Sequence, residues 1–162
     1  MSFTEEETKI LETHRFVPKK EIYHLSDVGD VIVNDNALNV RVNGMLSLTA
    51  NPDARKIVPE QVPRRFRLVL NFDMLREDFL PSLFPIYYLT DHQFYTTTPP
   101  SWLVQYYKAK GLGWEIEAWN TAPFLYLDRK LFSYESEWKC MADLFPLELY
   151  LVRIEYFEGP IE

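Results

Sequence analysis

The segment YESEWKCM, residues 134–141, contains two acids, Glu135 and Glu137, two positions apart. On an extended strand, side chains at this spacing lie on one face, whereas on a helix they point in different directions. A strand would therefore present both carboxylates together, as a catalytic acid pair requires. A helix would instead place them in its first turn, where acids are favourable, with Trp138 and Met141 packed inward. The sequence of this segment is compatible with both interpretations.

A second acid pair has the same spacing. Glu115 and Glu117 lie in WEIEAW, where apolar and acidic residues alternate as they do in a strand. Alternation alone places such acids on a solvated face. The sequence does not decide whether Glu135 and Glu137 or Glu115 and Glu117 form the functional pair.

Several kinds of catalytic site have no motif in this sequence. It contains no glycine-rich phosphate loop, no G-x-S-x-G segment and no Cys/His spacing typical of metal ligands. The three histidines are far apart, so we assign no metal site. Cys140 is the only cysteine, and its apolar neighbour Met141 favours burial over reactivity.

Composition indicates one folded domain spanning residues 1–162, with 47% hydrophobic and 25% charged residues. The net charge of −7 argues against nonspecific nucleic-acid binding. Two basic clusters, Lys19-Lys20 and the arginines of PRRFR, are typical of solvated strand entrances. No apolar run reaches membrane-spanning length, the acidic N-terminus does not resemble a signal peptide, and a single cysteine suits a reducing compartment. We therefore expect a cytoplasmic protein without membrane contact.

The elements that must position these residues are helices and strands in irregular order. Thr4 and Glu7 form a capping-box pattern, which predicts a helix within residues 1–17. Residues 21–26, EIYHLS, alternate as a strand, and residues 27–38 carry an apolar stripe that predicts a helix. A further short helix is expected in DMLREDF, capped by Asp73. Additional strands are predicted in MLSLT, RFRLVLNFD, PIYYLT and LELYLVRIEYF.

The mixture of strands and helices lacks the regular βαβ alternation of a doubly wound parallel sheet. It predicts an α+β fold: a single domain with a twisted, mostly antiparallel, split sheet flanked by short helices.

Three segments occur along the chain in this order: IYHLS, GMLSLTANPD and YESEWKC. They supply a histidine on a first strand, a hydroxyl-bearing strand and a late glutamate. This series resembles the ADP-ribosyltransferase-like superfamily. It is most similar to bacterial and phage-encoded branches, some of them related to toxins or defence, in which RFRLVLNFDMLRE also has a counterpart. The likeness covers residues 20–157 and leaves out the N-terminal helix.

The resemblance implies NAD as a substrate and a role for each matching residue. Glu137 would stabilise the oxocarbenium-like transition state, and Glu135 would orient the acceptor nucleophile if both acids lie on a strand. His24 would hydrogen-bond NAD, while Ser47 and Thr49 would line the nicotinamide pocket. We therefore expect the side chains of His24 and Thr49 to share one cleft on neighbouring strands.

The implied activity is mono-ADP-ribosyl transfer from NAD to a protein or nucleic-acid acceptor, or NAD hydrolysis. Lys139 departs from the pattern, because these branches usually have arginine at its position. The alternative is a non-catalytic acidic binding protein, such as an accessory factor or inhibitor that sequesters a protein or a nucleotide-like ligand. The sequence identifies neither the acceptor nor the oligomeric state.

Overall fold

A computed structural model describes most of the chain. The described residues are 2–26, 31–34, 37–41, 45–53, 66–79, 82–90, 125–127, 132–141 and 144–157. The helices are α1 (Glu5–Leu11), α2 (Phe72–Phe79), a 3-10 helix (Phe132–Glu135) and α3 (Leu147–Tyr150). The strands are β1 (Glu21–Ser26), β2 (Val31–Asn34), β3 (Ala37–Arg41), β4 (Met45–Thr49), β5 (Phe66–Asn71), β6 (Leu83–Pro85), β7 (Tyr87–Leu89), β8 (Leu125–Leu127), β9 (Glu137–Met141), β10 (Leu144–Pro146) and β11 (Leu151–Tyr156).

The main sheet has six strands in the order β11-β5-β1-β4-β9-β6, and every neighbouring pair is antiparallel. A second sheet has the order β10-β3-β2, and β7 pairs with β8 in parallel. The predicted combination of a mostly antiparallel sheet with short helices is therefore confirmed. None of the described helices is long and apolar enough to cross a membrane.

Alternation along the strands gives the main sheet two different faces. One face packs into the hydrophobic core, whose fully buried members include Ile22, Leu68, Leu70 and Trp138. The other face, called here the polar face, carries Tyr23, Ser47, Thr49, Arg67, Glu137, Lys139, Arg153 and Glu155. Their shared orientation follows from the strand register.

Helix α1 begins with the predicted capping box, which is confirmed: the Glu7 amide donates to Thr4 Oγ1 at 3.1 Å. The same Glu7 carboxylate accepts a hydrogen bond from Arg76 Nη2 of α2 at 2.7 Å. Arg76 is buried, and its guanidinium lies 4.6 Å from the centre of the Phe3 ring. One carboxylate thus caps α1 and joins the N-terminus to α2.

Three local predictions were wrong, at least in part. The first four residues of LELYLVRIEYF, which was expected to be a strand throughout, form helix α3, and only Leu151–Tyr156 is extended. Strands β2 and β3 occupy much of residues 27–38, where a helix was expected, and they pair with each other antiparallel. Their β-branched residues favour extended backbone, and this pairing outweighs the helical spacing of the apolar positions. The cap of α2 is Asn71 rather than Asp73, because Asn71 Oδ1 accepts from the Met74 amide at 3.1 Å.

Candidate functional site

The two acids of YESEWKCM lie in different elements. Glu135 ends the 3-10 helix and Glu137 begins β9, with Ser136 between them at a φ of 48°. This left-handed conformation turns the chain, so the acids do not alternate along one strand. The condition under which Glu135 was expected to orient an acceptor is therefore not met.

Hydrogen bonds hold the turn at Ser136 against two other segments. Its carbonyl accepts from the Ala50 amide at 3.2 Å, and its Oγ accepts from the Phe16 amide at 2.9 Å. The Thr49 hydroxyl donates to the carbonyl oxygen of Glu135. Because Ser136 is fully buried, these bonds fix its backbone where glycine would ordinarily be favoured.

Glu135 is a buried acid, 8% exposed. Its Oε1 has no hydrogen-bond partner among the described residues. Burial raises the pKa of Glu135 to about 7, and the negative charge of Glu137 adds to the rise, while Lys139 and the Tyr134 hydroxyl oppose it. A substantial fraction of Glu135 is therefore protonated at neutral pH.

Glu137 has a more polar environment on the polar face. Its Oε1 lies 2.9 Å from Lys139 Nζ, and the same Nζ donates to Ser47 Oγ at 2.7 Å. The Glu137 amide donates to the Tyr88 hydroxyl at 2.9 Å, which fixes the start of β9. Glu137, Lys139 and Ser47 thus form a continuous polar chain across two paired strands.

The register brings the predicted hydroxyl-bearing strand and the acidic strand together. Thr49 lies directly opposite Glu137, and Ser47 lies opposite Lys139. On its other side, Thr49 lies opposite Tyr23 of β1. Tyr23, Thr49 and Glu137 therefore form one row across three strands of the polar face.

His24 lies beside this row but does not belong to it. It is on a strand neighbouring Thr49, as predicted, yet Tyr23 holds the position opposite Thr49. Because successive side chains alternate, His24 belongs to the opposite face, which corrects the expectation of a shared cleft. The His24 Nδ1 lies 2.8 Å from the carbonyl oxygen of Ser47, so the ring contacts β4 through its backbone.

A pocket of about 360 Å³ adjoins the row at Tyr23 and Ala50. Lys19 and Lys20 line it and bring positive charge, and the Arg67 guanidinium lies 4.4 Å from the centre of the Tyr23 ring. The remaining lining residues are Phe16, Val17, Pro18, Glu21 and Pro52. Sequence reasoning missed this pocket, since its only signal was a Lys19-Lys20 pair that is also typical of an ordinary strand entrance.

Other candidate groups are far less suited to chemistry. Cys140 is fully buried, and burial raises the pKa of its thiol to about 12, which confirms the prediction that it is buried. Within the described ranges, no three His, Cys, Asp or Glu side chains are grouped so that they could hold a metal ion. The competing pair Glu115 and Glu117 lies outside the described residues.

Comparisons with known proteins add no assignment: no family model matches the sequence, and neither characterised proteins nor solved structures gave a significant match.

Proposed function

We propose that this chain binds NAD and breaks the bond between nicotinamide and ribose, with Glu137 as the catalytic carboxylate. ADP-ribose then passes to a protein or nucleic-acid acceptor, or to water. The observation that carries the proposal is the row Tyr23, Thr49 and Glu137, with Ser47 and Lys139 paired beside it. It joins the strands of all three segments on which the family resemblance rests.

The chemistry needs a carboxylate close to the ribose. As the glycosidic bond breaks, its electron pair leaves with nicotinamide and positive charge develops on the ribose carbon. A fixed anion stabilises that charge and can accept a hydrogen bond from the neighbouring hydroxyl. Glu137 suits this role because its backbone is anchored to Tyr88 and its carboxylate is only partly buried.

The basic pocket supports binding of the phosphate-containing part of NAD. Lys19 and Lys20 would attract the diphosphate, and the Tyr23 ring offers an aromatic surface beside them. Ala50 lines this pocket, and its amide donates a hydrogen bond to the carbonyl of Ser136, the residue between the two acids. A ligand in the pocket would therefore lie against the turn that holds Glu137.

Glu135 has a different part in this proposal. Its burial keeps it from touching an acceptor, so we place it as a positioning residue that acts on Glu137 through the backbone: the Glu135 carbonyl accepts from the Thr49 hydroxyl and so fixes the turn at Ser136 that precedes Glu137. His24 likewise positions β4 through the Ser47 carbonyl, which retains the predicted importance of this histidine without direct contact with NAD.

One observation favours the second candidate function, a non-catalytic binding protein. The ion pair between Lys139 and Glu137 partly neutralises the acid that would do the chemistry. A protein that retains the pocket and this ion pair would hold a nucleotide-like ligand without consuming it.

The test measures NAD consumption by the full chain and by two matched variants. Glu137→Gln should lower turnover by a factor on the order of 10² or more with little change in melting temperature, because it removes charge and keeps size. The control is Glu155→Gln, which removes an ion-paired carboxylate of the same face, next to Arg67. Equal turnover in both variants would contradict the role of Glu137.

Binding separates the two candidate functions. Millimolar NAD should raise the melting temperature under either one, since a ligand stabilises the folded state that binds it. A thermal shift without turnover would favour the binding protein. Absence of turnover and of any thermal shift with NAD, ADP-ribose or nicotinamide would reject the enzyme and would favour a binding protein for a different partner.

A further inference from the structure

Strand β11 forms one end of the six-stranded sheet. One of its edges pairs with β5, and the other has no strand beside it among the described residues. Three apolar side chains of β11 are exposed: Val152 at 50%, Ile154 at 38% and Tyr156 at 74%. A strand edge of this kind is a ready template for pairing with another chain.

We propose that β11 pairs antiparallel with β11 of a second copy, about a two-fold axis that passes through Ile154. The two main sheets then join edge to edge. Such an isologous contact uses the same surface on both copies and closes as a dimer.

Charge selects this register. With Ile154 opposite its counterpart, Arg153 of each copy lies opposite Glu155 of the other, so both cross-strand pairs are attractive. If the two-fold axis passed through Arg153 or Glu155 instead, that residue would lie opposite the same residue of the second copy, and two like charges would meet. The sequence of this strand is thus self-complementary in one register.

The side chains also match by face. Arg153 and Glu155 belong to the polar face, where within one copy they pair with each other at 3.0 Å, Arg153 also pairs with Glu21 at 2.5 Å, and Glu155 pairs with Arg67. Contacts to the second copy would extend this network of charges. Ile154 and Tyr156 belong to the opposite face, opposite Leu68 and Phe66 in β5. A two-fold axis perpendicular to the sheet keeps these faces separate, so apolar side chains meet apolar ones.

A second copy fits this edge better than an unrelated strand because the charge pattern complements itself. The register shift between Leu151 and Arg153 interrupts β11 and limits the ladder to a few residues around Ile154. A contact this short predicts a weak dimer with a dissociation constant on the order of 10 µM or higher, since small interfaces are usually transient.

Sedimentation of the full chain from a few micromolar to several hundred micromolar tests the dimer. The wild type should move from monomer to dimer, whereas Ile154→Lys should stay monomeric because two lysines would meet on the axis. Met74→Lys is the matched control, since Met74 is similarly exposed at 42% but lies on α2. A wild type that is monomeric throughout, or equal loss of dimer in both variants, would overturn the proposal.

Cross-linking tests the register. Cα atoms of residues opposite one another are about 4.5–5.5 Å apart, within the range for a disulfide. Ile154→Cys should therefore form a covalent dimer under mild oxidation, while Met74→Cys should not. Cys140 does not compete because it is buried. Equal cross-linking at both positions would reject the two-fold register.

Discussion

Glu135 and Glu137 are two residues apart, yet their carboxylates have different surroundings. Glu135 is buried, one of its carboxylate oxygens has no hydrogen-bond partner within the part of the chain that the structure describes, and burial raises its pKa to about 7. Glu137, in contrast, has Lys139 Nζ at 2.9 Å. The difference arises at Ser136, whose positive φ ends one element before the next begins. The sequence does not predict this turn, because serine does not ordinarily favour the left-handed backbone conformation.

The raised pKa of Glu135 predicts how stability depends on pH. Its folded pKa of about 7 lies above the ordinary value of 4.5, so the folded state holds the proton more tightly. The contribution to stability is complete below about pH 4.5 and is lost as pH rises to about 7. The glutamine of Glu135→Gln stays neutral at every pH. The unfolding free energy of this variant should therefore increase relative to that of the wild type as the pH rises from 5 to 8. Urea titrations at several pH values measure this gap, and a constant gap would contradict the assigned burial effect.

At the scale of elements, the sequence predicted structure correctly where residues close together in the chain form the hydrogen bonds that define the element. The capping box of α1 depends only on Thr4 and Glu7, which lie within four consecutive residues, and the sequence therefore predicted it. The pairing of β2 with β3 was not, because the apolar stripe of residues 27–38 also fits a helix. The order of strands in the main sheet depends on contacts far apart in sequence, and it decides which of Tyr23 and His24 faces Thr49.

Glu7 links two elements, which predicts a large effect for a small change. Glu7→Gln leaves the buried guanidinium of Arg76 without its carboxylate, and breaking a buried ion pair in this way costs about 3 kcal/mol of unfolding free energy. Glu5→Gln is the control, since Glu5 is an exposed acid in the first turn of the same helix. Chemical denaturation of both variants checks the difference, and similar losses would mean that negative charge in the first turn of α1, rather than the link to Arg76, carries the effect.

On the scale of the whole molecule, the N-terminal segment, β7 and β9 meet around one aromatic ring. The ring of Tyr88 lies 5.3 Å from that of buried His14, and the hydroxyl of Tyr88 accepts from the Glu137 amide. His14 in turn has Nε2 2.8 Å from the carbonyl oxygen of Ile86. The start of β9, and with it the proposed catalytic acid, is therefore connected to the N-terminal segment through two side chains.

This connection predicts that acid loosens the N-terminal segment. Burial lowers the pKa of His14 below 6.5, with the bond to Ile86 opposing the shift. The unfolded chain then takes up the proton more readily, so His14 removes stability as pH falls below about 6.5. In the wild type, the opposite slope of Glu135 hides much of this loss. In the Glu135→Gln background the loss should emerge as a fall in unfolding free energy from pH 7 to 5, and a further His14→Gln substitution should remove most of it. If the pH dependence between 7 and 5 is the same with and without His14, then protonation of His14 does not couple the N-terminal segment to the sheet.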